Sequence, residues 1–435
     1  MAIISSPLWI ILALGIGALM LFIIGVHFLF ARAAVRSDAS PVTGTDVVAI
    51  PTFHFTSPWQ SILTLLLVAV LGTTVGIMLT RYVYGIGTVS NLSNQFPWGI
   101  WIGFDVMSGV ALAAGAFVIA ATAHIFDIKR FEPLVRPAIL TGLLGYLLVV
   151  GGLMVDLGRP YNVWRPLLYW QHRSVMWEVG MCVATYTTVL FIEFLPVILE
   201  RLNKIGFVTN RLPTVAFYRW LKRISIVFVI LGVVLSTLHQ SSLGSLWVLM
   251  PEKLYPLWYS LYLPVFFWLS AVAAGLTMTI VESTLSSKFF KRGLELNLLA
   301  DLARATSVVL VIYLIAKGID LYWRGAWPLL REPNLQVAAF WVELGLGVII
   351  PAFLFAIKPL RRKPAVLFSG ALMVVIFGII LNRMNVSLIG IWSYAGQIYF
   401  PSWMELSITI ALVSIGVIAF GLAAKYLPVF PNDHV

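Results

Sequence analysis

The chain has 435 residues, 60% of them hydrophobic and 11% charged, with a formal net charge of +11 and a mean hydropathy of +0.96. A soluble globular protein carries about 25% charged residues, so a soluble domain is excluded, and the basic excess reads as a topology and lipid-headgroup signal rather than nucleic-acid binding. The lone cysteine, Cys182, excludes an internal disulfide, a four-cysteine iron–sulfur site and a CxxCH haem attachment.

A bilayer core about 30 Å thick takes roughly 20 apolar residues per helix. Eleven segments qualify, at about 8–30, 58–81, 98–124, 137–156, 174–199, 223–241, 257–282, 304–322, 334–356, 364–382 and 402–424. The fold class is therefore an all-α polytopic membrane protein. The first segment lacks the basic start of a signal peptide and exceeds its usual apolar length, so it reads as a retained spanning helix. Pro58, Pro137, Pro364 and Pro401 stand at or next to expected helix starts, where a missing N–H costs least.

With the N-terminus outside, the inner segments hold twenty of the 29 Lys and Arg and the outer segments nine. That bias predicts N-outside, C-inside topology. Two outer segments keep three basic residues each: Arg159, Arg165 and Arg173, then Lys317, Arg324 and Arg331. They are candidates for a site or a partner surface. A faint repeat links "MWEVGMCV" with "FWVELGLGV" and "HQSSLGSLW" with "NRMNVSLIGIW". Both pairs are four helices apart, so the repeat is parallel. Chance similarity of Trp, Gly and Ser near membrane interfaces explains it equally well.

Ionisable side chains inside spanning helices cost roughly 2.5–3.5 kcal/mol each and point to function. Asp105, Glu178 and His239 fall near the outer ends of three different helices, while Asp156, Arg159 and His172 border one outer loop. Tyr146 falls at mid-depth, and His124, Arg136, Glu193 and Glu282 toward the inside. Such a series of groups can relay protons. Bland readings stand beside it: His239 as a helix cap, Tyr146 as packing, Glu282 and His124 as helix-end groups reaching water. Asp105 or Glu178 could also pair structurally with Arg159 or Arg173. No helix carries the spaced histidine pair of a two-haem cytochrome b; one haem b between His27 and His124 stays open.

The stretches "NQFPWGIWIGFDVMSG", "FEPLVRPAILTGLLGY", "DLGRPYN", "SVMWEVGMCV", "TLHQSSLGS" and "YFPSWMELSI" resemble the NrfD/PsrC-like family of integral membrane subunits of respiratory oxidoreductases, and most of all its HybB-type members from periplasmic nickel–iron hydrogenases. The resemblance covers about residue 58 to the C-terminus. It implies a ten-helix unit over 58–435 with two packed four-helix bundles, and leaves 1–57 as an extra N-terminal helix and loop. It implies a menaquinone or ubiquinone site near the outer face of a prokaryotic cytoplasmic membrane, with no haem, iron–sulfur cluster or metal in this chain. It also implies an iron–sulfur electron-transfer subunit outside and, beyond it, a catalytic subunit or multihaem cytochrome. By motif match, Asp105, Tyr146, Glu178, His239 and Glu282 fall on quinone or proton positions. Depth adds Asp156, Arg159 and His172 to the expected pocket. The rival readings are a secondary transporter, whose repeats are often inverted around a midplane site, a haem b subunit and a passive anchor.

Overall fold

The computed structural model describes residues 58–204, 213–290 and 292–430; the helix expected at 8–30 and its loop lie outside them. Among the described residues, ten helices are long and apolar enough to span a bilayer: α1 Thr64–Tyr84, α2 Trp101–Ile125, α3 Lys129–Asp156, α4 Val175–Leu202, α5 Thr214–Val248, α6 Leu263–Phe289, α7 Leu296–Trp323, α8 Leu335–Ala356, α9 Pro364–Ala395 and α10 Trp403–Tyr426. In lipid each backbone polar group must be satisfied within the segment, and these apolar runs do so as helices. Their starts are chemically marked where a loop precedes them. The Ser174 and Asn334 side chains accept N–H bonds at the heads of α4 and α8, and Ser402 with Glu405 forms a capping box on α10.

Several helices outrun their apolar cores. The segment expected at 223–241 is part of a 35-residue helix, because Arg219, Lys222 and Arg223 continue the helix beyond the lipid while their charged heads reach water. Pro137 is inside α3 rather than at its start; the helix begins earlier, with Pro133 in its first turn.

α2–α5 pack as one four-helix bundle and α6–α9 as a second, with α10 applied to the outside of α3 and α1 packed on α10. α2 and α6 are the most enclosed, at 78% and 67% buried against 11% for α1. They cross where a Cβ on Gly275 would lie 2.7 Å from the Gly115 nitrogen, a contact that only glycine permits and that membrane interfaces favour. Each member of the first bundle comes four helices before its counterpart in the second, so α4 and α5 share their direction with α8 and α9. α2, α8 and α9 each contain a wide π-helical stretch, at Trp101–Ser108, Gly345–Ile349 and Val374–Ile380. Such bulges are common where a site interrupts regular packing.

Candidate functional site

The first bundle closes around an imidazole. α5 continues to Val248, so His239 lies nine residues below its end, about 13 Å at 1.5 Å per residue, and not within one turn as its apolar run suggested. Tyr146 is ten residues from the end of α3, and Tyr186 eleven into α4. Because α3, α4 and α5 alternate in direction, all three side chains reach one level. Tyr146 Oη is 2.8 Å from His239 Nδ1, and the Tyr146 and Tyr186 rings meet edge-to-face at 4.6 Å. All three are 0% exposed.

What this core lacks is as telling as what it holds. His239 Nε2, Gln240 Oε1 and Trp247 Nε1 are buried with no hydrogen-bond partner within the protein, while the Tyr186 and Ser236 hydroxyls lie against each other. An unsatisfied buried polar atom costs about 1–3 kcal/mol. Three along the outer half of α5 call for water or a polar ligand. Gln240 is nevertheless anchored, its Nε2 donating to the Val110 carbonyl of α2 at 3.0 Å.

One turn outward from His239, Ser242 Oγ donates to Glu178 Oε1 at 2.5 Å. Glu178 is exposed, at the head of α4, so it joins the buried cluster to the surface. The Trp98 and Trp247 rings pack edge-to-face at 5.6 Å near the same end. Inward, Glu193 and Tyr186 flank Gly232: a Cβ there would lie 3.4 Å from the Glu193 carboxylate and 3.6 Å from the Tyr186 ring. Thr141 Oγ1 donates to Glu282 Oε2 at 2.5 Å, joining α3 to α6 five residues below Tyr146.

The other expected residues go elsewhere. Asp105 accepts from Thr409 of α10 at 2.7 Å and lies against Gly152, six residues up α3 from Tyr146, on a different face. Asp156 sits with Arg81 and Glu405. Arg81 is itself spent on the end of α3, donating to the Val155 carbonyl at 2.8 Å and to the Leu157 carbonyl. Glu405 accepts from Tyr399 at 2.5 Å and from the Asn91 and Ser402 amides. Burial, with the Glu405 carboxylate beside it, pushes the Tyr399 hydroxyl above the usual tyrosine range. This network latches the segment before α2 to the head of α10. Arg159 and His172 are exposed in the α3–α4 loop, His172 with its ring edge-on to Trp170 and Trp177 at 6.0 and 5.8 Å. Neither acid pairs with Arg159 or Arg173. Tyr186 and Gln240 were not singled out from sequence; the only signal was their polarity in register with Glu193 and His239.

Among the described residues no three His, Cys, Asp or Glu are grouped to hold a metal ion. Of the described histidines, His124 and His172 are exposed at opposite ends and His239 is buried between them, so no two share a level as haem ligands.

These features define an integral membrane protein whose interior holds a buried cluster of hydrogen-bonding side chains, with the exposed Glu178 bonded at its outer end. The chain belongs to the NrfD family, whose model, described as polysulphide reductase, NrfD, matches residues 88–395. It is 42% identical to a protein of Nitratidesulfovibrio vulgaris strain Hildenborough, over 81% of this chain and 91% of the relative. It is 33% identical to the probable Ni/Fe-hydrogenase 2 b-type cytochrome subunit of Escherichia coli K12, over 82% and 91%. Identity is 29% to the menaquinone reductase integral membrane subunit of N. vulgaris, over 80% and 87%.

Proposed function

We propose that the chain is the quinone-exchanging membrane subunit of a respiratory oxidoreductase in a prokaryotic cytoplasmic membrane. The observation that carries this reading is the buried Tyr146–His239 pair with its open Nε2. With the Tyr146 hydroxyl donating to Nδ1, the neutral ring carries its hydrogen on Nε2 and offers a donor to a carbonyl oxygen. The unpartnered Gln240 and Trp247 atoms supply further polar groups along the same helix. These residues fit a quinone headgroup, with menaquinone favoured by the name of one relative and ubiquinone as the other candidate. A bound quinone takes up two electrons and two protons at its oxygens.

The chain's own part is to hold the headgroup and move protons. His239 contacts the oxygen and Tyr146 fixes its tautomer. Glu178, bridged through Ser242, exchanges protons with the exposed end. Glu193 and the Thr141–Glu282 pair continue the polar series inward. Protons drawn along it from the inner side would couple turnover to the membrane potential, at about 2.3 kcal/mol per charge per 100 mV. Asp105 and Asp156 hold the neighbouring α1–α10 wall, and Arg159 and His172 lie on the loop where an iron–sulfur electron-transfer subunit would dock, linking onward to a catalytic subunit or multihaem cytochrome.

Burial sharpens the charge bias behind the orientation. Arg81, Lys317 and Arg383 are 2%, 3% and 1% exposed, so they are internal rather than loop charges. Removing them leaves six outer basic residues against twenty inner ones, which supports an outside N-terminus and an inside C-terminus.

Glu178→Gln tests the reading. It should leave the complex assembled and slow quinone-linked turnover strongly; normal quinone reduction by that variant would remove Glu178 from the mechanism.

A further inference from the structure

The second bundle buries a charge cluster that the quinone reading does not use. Glu343, 1% exposed, accepts from Trp258 Nε1 at 2.9 Å, from Asn385 at 2.7 Å and from Asn382 at 2.7 Å. Three donors thus converge on its two oxygens. Arg383 donates to Asn382 Oδ1 at 2.7 Å and Ser270 Oγ at 2.8 Å, and lies over the Phe267 ring at 3.7 Å. Asp320 is bound by Arg324 at 2.7 Å and by Ser260 at 2.6 Å. Arginine keeps its proton. Two acids, Glu343 and Asp320, thus stand beside two arginines, and one further basic group is left over.

That group is Lys317. It is 3% exposed, and its ammonium lies 4.9 Å from the centre of the Phe266 ring. Among the described residues no hydrogen bond is made to its Nζ. The charged groups that act on it are Glu343 on α8 and Asp320 and Arg324 on α7, with the Phe266 ring of α6 beneath its ammonium. The cluster therefore holds three basic groups against two acids, and Lys317 is the basic group with no side chain hydrogen-bonded to it among the described residues.

A small cavity lies on its inward side. One turn below the cluster, Ser270, Tyr313, Val348 and Gly378 line a cavity of about 10 Å³, the size that just admits one water molecule. The π-helical stretches of α8 and α9 cross there, with a Gly347 Cβ placed only 2.2 Å from the Gly378 nitrogen. Outward, Asp320 and Arg324 lead to the α7 end. Buried lysine is suited to gaining and losing a proton, as arginine is not.

We propose that Lys317 is the proton-loading group of a second ion-translocating site in the α6–α9 bundle. Its Nζ takes a proton from a hydronium ion on the cavity side, leaving water, and returns it to water on the Asp320 side; no electron moves. The site rests on the quinone reading only for its energy source.

The test uses the whole complex in sealed vesicles and counts protons translocated per two electrons. Lys317→Arg keeps the charge and cannot release the proton; it should turn over quinone within about twofold of wild type while translocation falls by at least one proton per two electrons. Lys317→His should restore part of it. Unchanged translocation in Lys317→Arg overturns the proposal, as does loss of turnover in an assembled complex. If wild-type vesicles show no quinone-linked turnover, the quinone reading fails by itself. Nitrogen-15 lysine spectra of the full chain in lipid discs then decide separately. Lys317, assigned by its absence in Lys317→Arg, must interconvert between amine and ammonium on titration; a signal that stays ammonium throughout overturns the proposal.

Discussion

Tyr146→Phe isolates the hydrogen bond at the centre of the first bundle. The substitution keeps the ring and its edge-to-face contact with Tyr186 at 4.6 Å, so packing is conserved and no cavity of methyl size opens. It removes the 2.8 Å bond to His239 Nδ1 and leaves a fully buried imidazole with neither nitrogen partnered by protein. The cost of a stranded buried polar group is about 1–3 kcal/mol. If Tyr146 also fixes the tautomer that presents Nε2–H to the quinone, the same energy is lost from substrate positioning. That is about a fivefold to hundredfold drop in quinone-linked kcat/KM, since roughly 1.4 kcal/mol is tenfold. The assay is quinone reduction by the assembled complex, run beside thermal unfolding of the same preparation. Wild-type values of both would refute the reasoning, because no buried bond of this kind can be removed without effect on stability or positioning.

Other consequences follow from the same contacts. Glu282→Gln should reduce proton uptake from the inner side in sealed vesicles, and unchanged uptake would remove the Thr141–Glu282 pair from the path. Glu343→Ala leaves the buried Trp258, Asn382 and Asn385 donors without their acceptor and should destabilise the chain by about 1–3 kcal/mol for each stranded group, read as a lower unfolding midpoint. The raised Tyr399 hydroxyl keeps its proton in the folded chain above the pH where the unfolded chain loses it. Stability should therefore be unaffected below about pH 10, the ordinary tyrosine value, and fall as pH rises beyond it. Tyr399→Phe should flatten that alkaline limb; an identical limb in the variant would show that the Glu405 latch is not its source.

The helices were legible because the bilayer imposes a length on apolar runs, and ten of the eleven expected spans have counterparts among the described residues. Their ends were not. Arg219, Lys222 and Arg223 read as loop by hydropathy, yet they continue α5 as helix. At the other end, Ser241, Ser242 and Ser245 look like a terminus but lie inside the helix, each of the last two bonding back to a carbonyl four residues earlier. That error placed His239 too near the surface and grouped it with Asp105 by depth, whereas facing is set by helix phase. Depth did connect Glu178 to the His239 cluster, through Ser242. Lys317 was read as a loop charge because hydropathy cannot tell a helix end in water from one enclosed by a second bundle.

The central claim is that a quinone meets the chain at His239 inside the α2–α5 bundle. The most direct test is photolabelling of the intact complex in native membranes with a photoreactive quinone, followed by mapping of the modified peptides. Labelling confined to the segments around Tyr146, Glu178 and His239–Trp247, and suppressed by excess menaquinone, is the predicted result. Suppressible labelling found only in the α6–α9 bundle, or only on α1 and α10, would contradict it.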